Sequence, residues 1–289
     1  MTDAWRLPLL SCLLLGVIGG GAGLASEAGG VGRAKEVRFL VYGGTDGTGD
    51  AHAALVAQMV KLRPELVAHA GGLVGTDQSA AAWRAFKTAV EPLLAVTSFY
   101  GCRGMGESSA YCEPRPGFPQ VPRGGVCYYS FDYRSVHLVF LDTERRVEKR
   151  DPQTAWLDRD LGEAAGKPIF VFCHRAIFGA AERNVLTNGE LAWHPVFARH
   201  KVRAVFSGAR HLYHHTSEGG VTYVITGGGG GYLNPVMARR QVLPADVAGA
   251  FYHFIEVTVA PEEIRCRAID IEGKTRDEFL IPPVSDAGK

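Results

Sequence analysis

Imidazoles gather in the second half of this chain. His174 closes the apolar run PIFVFCHRAIFG with Cys173 beside it, and His211, His214 and His215 fall together in VFSGARHLYHH. Neutral imidazole and thiolate are donors that zinc and iron favour, and a working site of that kind generally needs at least three protein ligands. Cys173 is a poor partner for His174, because neighbours on a strand point to opposite faces and the thiol then belongs to the core. His214 and His215 lie in a stretch that reads as a loop, where they are surface groups before they are ligands. The glycine run Gly227 to Gly231 is not a phosphate-binding loop, since no Lys-Ser or Lys-Thr follows it. Its glycines instead let the backbone pass close to neighbouring loops. Arg145, Arg146, Lys149 and Arg150 form a local basic group, but the formal charge of the whole chain is +1. That balance gives no electrostatic case for nucleic acid as a partner.

The elements that must position these groups alternate along the chain. Val37 to Tyr42, Leu66 to Ala70 and Val96 to Tyr100 read as strands, separated by helices near Ala51 to Leu62 and Ala80 to Leu94. This is the βαβ rhythm of a parallel-rich sheet. CYYSFDY and VHLVFLD then read as paired strands, QTAWLDRDLGEAA as a helix, and IFVFCH, VRAVFSG and VTYVITG as buried strands. The final stretch, FYHFIEVTVAPEEIRCRAIDIEGKTRDEFLI, reads as antiparallel strands turning at Glu272-Gly273. With 289 residues, 46% of them hydrophobic and 21% charged, the chain can bury one large core.

Residues 1–28 read as a signal peptide or N-terminal anchor, with Arg6 before LPLLSCLLLGVIGGGAGLA and small residues near Ala25 and Ala28 as cleavage places. Residues 29–35 read as a linker, 36–283 as the domain and 284–289 as a C-terminal tail. Export to the periplasm or the extracellular space follows, with membrane contact only through an uncleaved N-terminal segment. Apart from Cys12, the cysteines are Cys102, Cys112, Cys127, Cys173 and Cys266, an odd number. One disulfide among Cys102, Cys112 and Cys127 would pin the Pro- and Gly-rich loop that they flank.

Five segments, in order, resemble the metal-binding motifs of the calcineurin-like, purple acid phosphatase-like metallophosphoesterases. VYGGTDGTGDAH stands where that family has Gly-Asp-x-His or Gly-Asp-x-Arg, with Gly44 at the Asp place and Asp46 at the second ligand place. ELVAHAGGLV resembles His-Thr-Gly-Asp-Leu-Val, with Gly72 where relatives have the carboxylate shared by both metals, and His69 at a place that is often a structural His. FYGCRGMGE stands for Gly-Asn-His-Glu. Gly104 and Glu107 match, whereas Met105 replaces the metal-binding Asn and Gly106 the His that acts on the leaving group. PIFVFCHRAIFG keeps the ligand His174. VFSGARHLYHH resembles Ser-Gly-His-x-His, with Ala209 at the first His, Arg210 at the variable place and His211 at the second His. The resemblance runs from Val37 to Ile269. It implies an α/β fold of two packed mixed β-sheets flanked by helices, a four-layer α/β/β/α sandwich with the motif loops at one edge. Gly49-Asp50-Ala51-His52 spells the first motif a second time, but Asp50 precedes the amphipathic run AHAALVAQMVKL and reads as its N-cap.

Two cations ~3.5 to 4 Å apart need a bridging anion, and Gly72 cannot supply one. In the family pattern His174 and His211 serve different metals, so the pair does not amount to half a site. The resemblance therefore implies a frame without its chemistry: no catalytic residue at Gly106, and lost metal positions at Gly44, Gly72, Met105 and Ala209. The expected protein is an exported pseudoenzyme or binding protein with no resident cofactor, whose former cleft takes a small-molecule or protein ligand. Arg210 is its candidate anion-binding residue, holding phosphate or a carboxylate by bidentate hydrogen bonds. The alternative is a phosphoric ester hydrolase with a rearranged site, a single zinc or iron ion at partial occupancy on His174, His211 and Asp46. Arg103 and Glu107 read as loop anchors before they read as base or ligand, and His253 as a core residue.

Overall fold

Alternation along the strands decides which side chains face the core. In β1 (Val37–Tyr42), Val37, Phe39 and Val41 enter an apolar layer between two sheets, while Leu40 and Tyr42 point the other way. The computed structural model describes residues 36–46, 49–75, 79–107, 126–145, 147–178, 187–235 and 247–282. β2 (Leu66–His69) and β3 (Ser98–Gly101) extend β1 in parallel, with α1 (Asp50–Leu62) and α2 (Ala80–Leu94) as crossovers. On the other side of β1 come β11 (His253–Val259), β12 (Ile264–Asp270) and β13 (Thr275–Ile281), all antiparallel. The six-stranded sheet has the order β13-β12-β11-β1-β2-β3.

The second sheet is built around four parallel strands, β5 (Val136–Phe140), β6 (Ile169–Cys173), β7 (Ala204–Ser207) and β9 (Val221–Thr226). Antiparallel strands β4 (Tyr129–Tyr133), β8 (Tyr213–Glu218) and β10 (Val247–Gly249) complete it, in the order β10-β8-β9-β7-β6-β5-β4. Helices α3 (Pro152–Glu163) and α4 (Thr187–Arg199) cover its outer face. Three apolar clusters lie between the sheets, beneath α1 and α2, and beneath α3 and α4, which makes the fold a four-layer α/β/β/α sandwich. The central layer is rich in rings: Phe39 meets Phe170 edge-on at 5.2 Å, and Phe140 stacks on Phe172 at 4.7 Å. Each fully buried ring contributes about 1.5–3 kcal/mol to holding the two sheets together.

Local signals stop and start the helices. Asp151 caps α3 by accepting from the amides of Gln153 and Thr154, with Pro152 opening the helix. The Ser79 hydroxyl accepts from Ala82 at the start of α2. The N-cap of α1 is Gly49, not Asp50, and it offers no side-chain cap. Asp50 sits in the first turn, where its charge faces the positive end of the helix dipole.

The strands and helices read from the sequence are present with ends displaced by a few residues. Three elements were not anticipated: α4, β8 and β10. β8 corrects the loop reading of His214 and His215, which instead alternate within a strand. Its sequence, YHHTSE, is too polar to announce a buried strand, and pairing with both β9 and β10 supplies what periodicity does not. Cys127 is disulfide-bonded, whereas Cys102, Cys173 and Cys266 are free and buried. Its partner lies outside the described residues, as do the N-terminal segment and Cys112.

Candidate functional site

Parallel strands present their C-terminal ends on one edge of a sheet, and the loops leaving β1, β2, β6 and β7 meet there. Main-chain hydrogen bonds join them: Gly44 donates to Gly71 (3.0 Å), Ala209 to His174 (2.8 Å), Gly229 to Gly43 (2.9 Å) and Gly231 to Gly44 (3.0 Å). The glycine run after β9 thus lies directly against the loop after β1.

Asp46, His174 and His211 are brought to this meeting point. Asp46 Oδ2 is 2.8 Å from His211 Nε2. His174 follows β6 directly and is 7% exposed, and neither its Nδ1 nor that of His211 has a hydrogen-bond partner among the described residues. Burial lowers the pKa of His174, against the carboxylates of Glu144 and Asp46, which raise it, so the ring is neutral at pH 7. Asp46, Arg210 and His211 all have left-handed backbone, with φ of 36°, 82° and 55°. Such conformations cost on the order of 1 kcal/mol or more each and persist where the surroundings over-determine them. Arg210 is engaged within the chain.

Two glycines show what has become of the metal positions. At Gly72, with φ of +72°, an added Cβ would lie 3.1 Å from His174 Cε1 and 3.2 Å from Asp46 Oδ1. The ring and the carboxylate therefore flank the place where the shared carboxylate of the family pattern would begin. At Gly44, with φ of +66°, a Cβ would lie 2.6 Å from the carbonyl oxygen of Gly227 and 2.8 Å from that of Gly208. Backbone occupies the space, and no side chain can enter unless the loops part. Met105 lies at the tip of the tight turn in which Glu107 donates to the Gly104 carbonyl, and it is 67% exposed. Gly106 follows it in the same turn, and Ala209 bonds His174 through its backbone.

Ionic and hydrogen-bonded anchors fix the rim. The Glu107 carboxylate accepts from the backbone amides of Gly72, Leu73, Val74 and Gly104, and so ties the loop after β2 to the loop after β3. Burial raises its pKa, and the amides of Val74, Gly104 and Leu73 offset only part of that rise. Arg103 makes a two-pronged pair with buried Asp142 at 3.0 to 3.2 Å. Arg175 does the same with Glu144, at 2.9 and 3.2 Å. Gln153 of α3 holds both the amide and the carbonyl of Asp142, at 2.8 and 3.0 Å. Asp142 and Glu144 were not singled out from the sequence, although LDTE directly after a buried strand is where a strand-end loop in this architecture carries polar groups.

The other histidines have structural surroundings. His69 is fully buried, hydrogen-bonded to the Gly71 amide and to Thr45, and stacked on Phe99. His52 is also fully buried, stacks on Phe86 and touches the Tyr42 hydroxyl; burial lowers its pKa to about 4. It faces the core, so the second spelling of the first motif does not reach the cleft. His253 is fully buried with its pKa lowered to about 4 by burial, and His215 stacks on Phe279 of β13. Asp77, Glu182 and Arg146 lie outside the described residues.

The residues present do not fit a dinuclear centre. Backbone fills the space at Gly44, Gly72 offers no bridging anion, and Asp46 is already bonded to His211. Among the described residues, no three His, Cys, Asp or Glu side chains are arranged to hold a metal ion.

No protein-family model matches the chain, and no curated protein does. Solved structures do. A purple acid phosphatase from yellow lupin (Lupinus luteus) superposes with a TM-score of 0.68 at 16% identity, over 87% of this chain and 54% of its own. The chain thus spans about half the length of the lupin enzyme. GAP50, described as the anchor in the inner membrane complex of Plasmodium, superposes with a TM-score of 0.72 at 11% identity, over 86% of this chain and 89% of its own. A dimetal phosphatase from Danio rerio gives 0.61 at 14% identity, over 85% and 98%. Two mixed sheets of six and seven strands, layered with four helices among the described residues, give this chain the fold of the calcineurin-like metallophosphoesterases.

Proposed function

We propose that this chain is an exported binding or anchoring protein on a metallophosphoesterase frame, without the dinuclear phosphoesterase reaction. The observation that carries the reading is the filled ligand place at Gly44, where a Cβ would collide with the Gly227 carbonyl at 2.6 Å. A centre that needs a carboxylate there cannot be recovered by rotating a side chain. The likeness to GAP50, an anchor by description and a neighbour of similar length, supports a non-catalytic use of the frame. The disulfide at Cys127 suits an oxidising compartment and hence export. The ligand is a small molecule or protein held at the former cleft, with Arg210 and His211 on its wall.

One observation favours a second reading. Asp46 and His174 flank the space at Gly72, His211 is bonded to Asp46, and Nδ1 of each histidine has no partner among the described residues. A single zinc or iron ion would have to draw these three side chains together, since they are not arranged to hold one as they stand, and would then make a weak hydrolase. Metal analysis after exposure to zinc, iron and manganese, together with an aryl phosphate assay, separates the two. Substoichiometric metal and a rate that His174→Ala leaves unchanged is the expected result. Stoichiometric metal with hydrolysis abolished by His174→Ala establishes the second reading. An Arg210→Ala variant with unaltered phosphate and sulfate affinity removes the anion-binding role.

A further inference from the structure

His137 lies away from the cleft, on β5, at the joint between the β4–β5 hairpin and α3. Its Nδ1 is 2.8 Å from Asp132 Oδ1 on β4, and its Nε2 is 3.0 Å from Asp160 Oδ2 on α3. Ionised carboxylates only accept, so both ring nitrogens must donate, and only the protonated imidazolium has two N–H groups. A neutral ring would satisfy one carboxylate and turn a lone pair toward the other.

The remaining charges around the ring agree with a cation. Asp132 is also held by Lys167, from the turn before β6, at 2.5 Å, and Asp160 accepts from the Ser130 hydroxyl of β4 at 2.5 Å. Two carboxylates, one ammonium and one imidazolium balance to zero, whereas a neutral His137 leaves one negative charge in excess at a joint where its own side chain is 8% exposed. Burial works to lower the pKa of His137, but the bonds to Asp160 and Asp132 outweigh it and raise it.

The joint is connected to the rim. Asp160 lies near the C-terminal end of α3, and Gln153, at the other end of the same helix, holds the main chain of Asp142, the residue that fixes Arg103. We propose that His137 is a pH-sensitive latch: its imidazolium docks α3 onto the β4–β5 hairpin, and through Gln153 the docked helix sets the Asp142–Arg103 pair at the edge of the cleft. This does not rest on what the cleft binds. A raised folded-state pKa means that the latch stabilises fully below the unfolded value of ~6.5 and weakens as pH rises through the folded value. An exported protein meets that change when it moves between mildly acidic and mildly alkaline surroundings.

NMR titration of the His137 ring in the full chain, with hydrogen exchange of α3 and of the Gly104 to Glu107 amides, tests the latch. The expected midpoint lies above ~6.5. α3 protection, corrected for intrinsic rates, should fall as pH rises, by about tenfold for each unit of elevation. The Gly104 to Glu107 amides should follow it. His137→Gln should flatten the profile, and the milder Asp132→Asn, at a half-exposed site, should lower the midpoint without unfolding the chain. A midpoint at or below ~6.5, or an unchanged α3 profile in His137→Gln, overturns the latch. Rim amides that stay protected while α3 loosens overturn its coupling to the cleft.

Discussion

The loops leaving the two sheets meet at one edge but have different contents. Those from the six-stranded sheet carry glycine or methionine at 44, 72, 105 and 106, where the family pattern has a carboxylate, an Asn or a His, and keep Asp46. Those from the seven-stranded sheet keep His174 and His211 and have Ala209 at the one imidazole place that they lack. The two kinds of group behave differently when no cation is present. A buried carboxylate without a partner leaves an uncompensated charge, at a cost of about 3–5 kcal/mol. A buried imidazole can shed its proton and remain neutral, as the lowered pKa of His174 shows. Four carboxylates at the rim are matched: Asp46 by His211, Asp142 by Arg103, Glu144 by Arg175 and Glu107 by four backbone amides.

The sharpest way to break this contrast is to put the carboxylates back. Gly44→Asp with Gly72→Asp forces side chains into left-handed, closely packed backbone and buries two charges; we expect a loss of about 4 kcal/mol or more in urea unfolding, unrecovered by zinc or manganese. A double variant that folds normally and binds two metals would erase the distinction between the loops. Glu107→Ala, which leaves four amides without their acceptor, should cost about 2–4 kcal/mol, with part of it returned by Glu107→Gln. Loss of under about 0.5 kcal/mol would mean that Glu107 does not anchor the six-stranded side. His174→Gln, on the other side, should shift stability by under about 1 kcal/mol, equally with and without a chelator, because a neutral ring without a metal does little there. A large chelator-dependent effect on thermal unfolding would show that the seven-stranded side still works as a metal site.

Much of the frame could be read along the chain, because buried strands such as IFVFC and VRFLVY carry their burial in their composition. The five motif segments also announced which loops meet. β8 was hidden by its polarity, α4 by a sequence with little apolar periodicity, and the Gly49 cap by an Asp one residue later that suits the same role. At the rim, Arg103 and Glu107 were legible as loop anchors, but their partners were not. Asp142 is 39 residues from Arg103, and Glu107 reaches Val74 across 33. Nothing local in a sequence records such pairs.

By itself the sequence determined the charge balance, which faces are apolar and which positions have no side chain, and its resemblance to the family implied the fold and the places where ligand-type residues are absent, since all of these are written in local composition and spacing. Only the tertiary structure decided that backbone has filled the place at Gly44, that Asp46 turns to His211 and that His137 lies between two carboxylates. The physical reason is that each depends on distances between strands remote in the chain, set when the two sheets and their helices close around a common core.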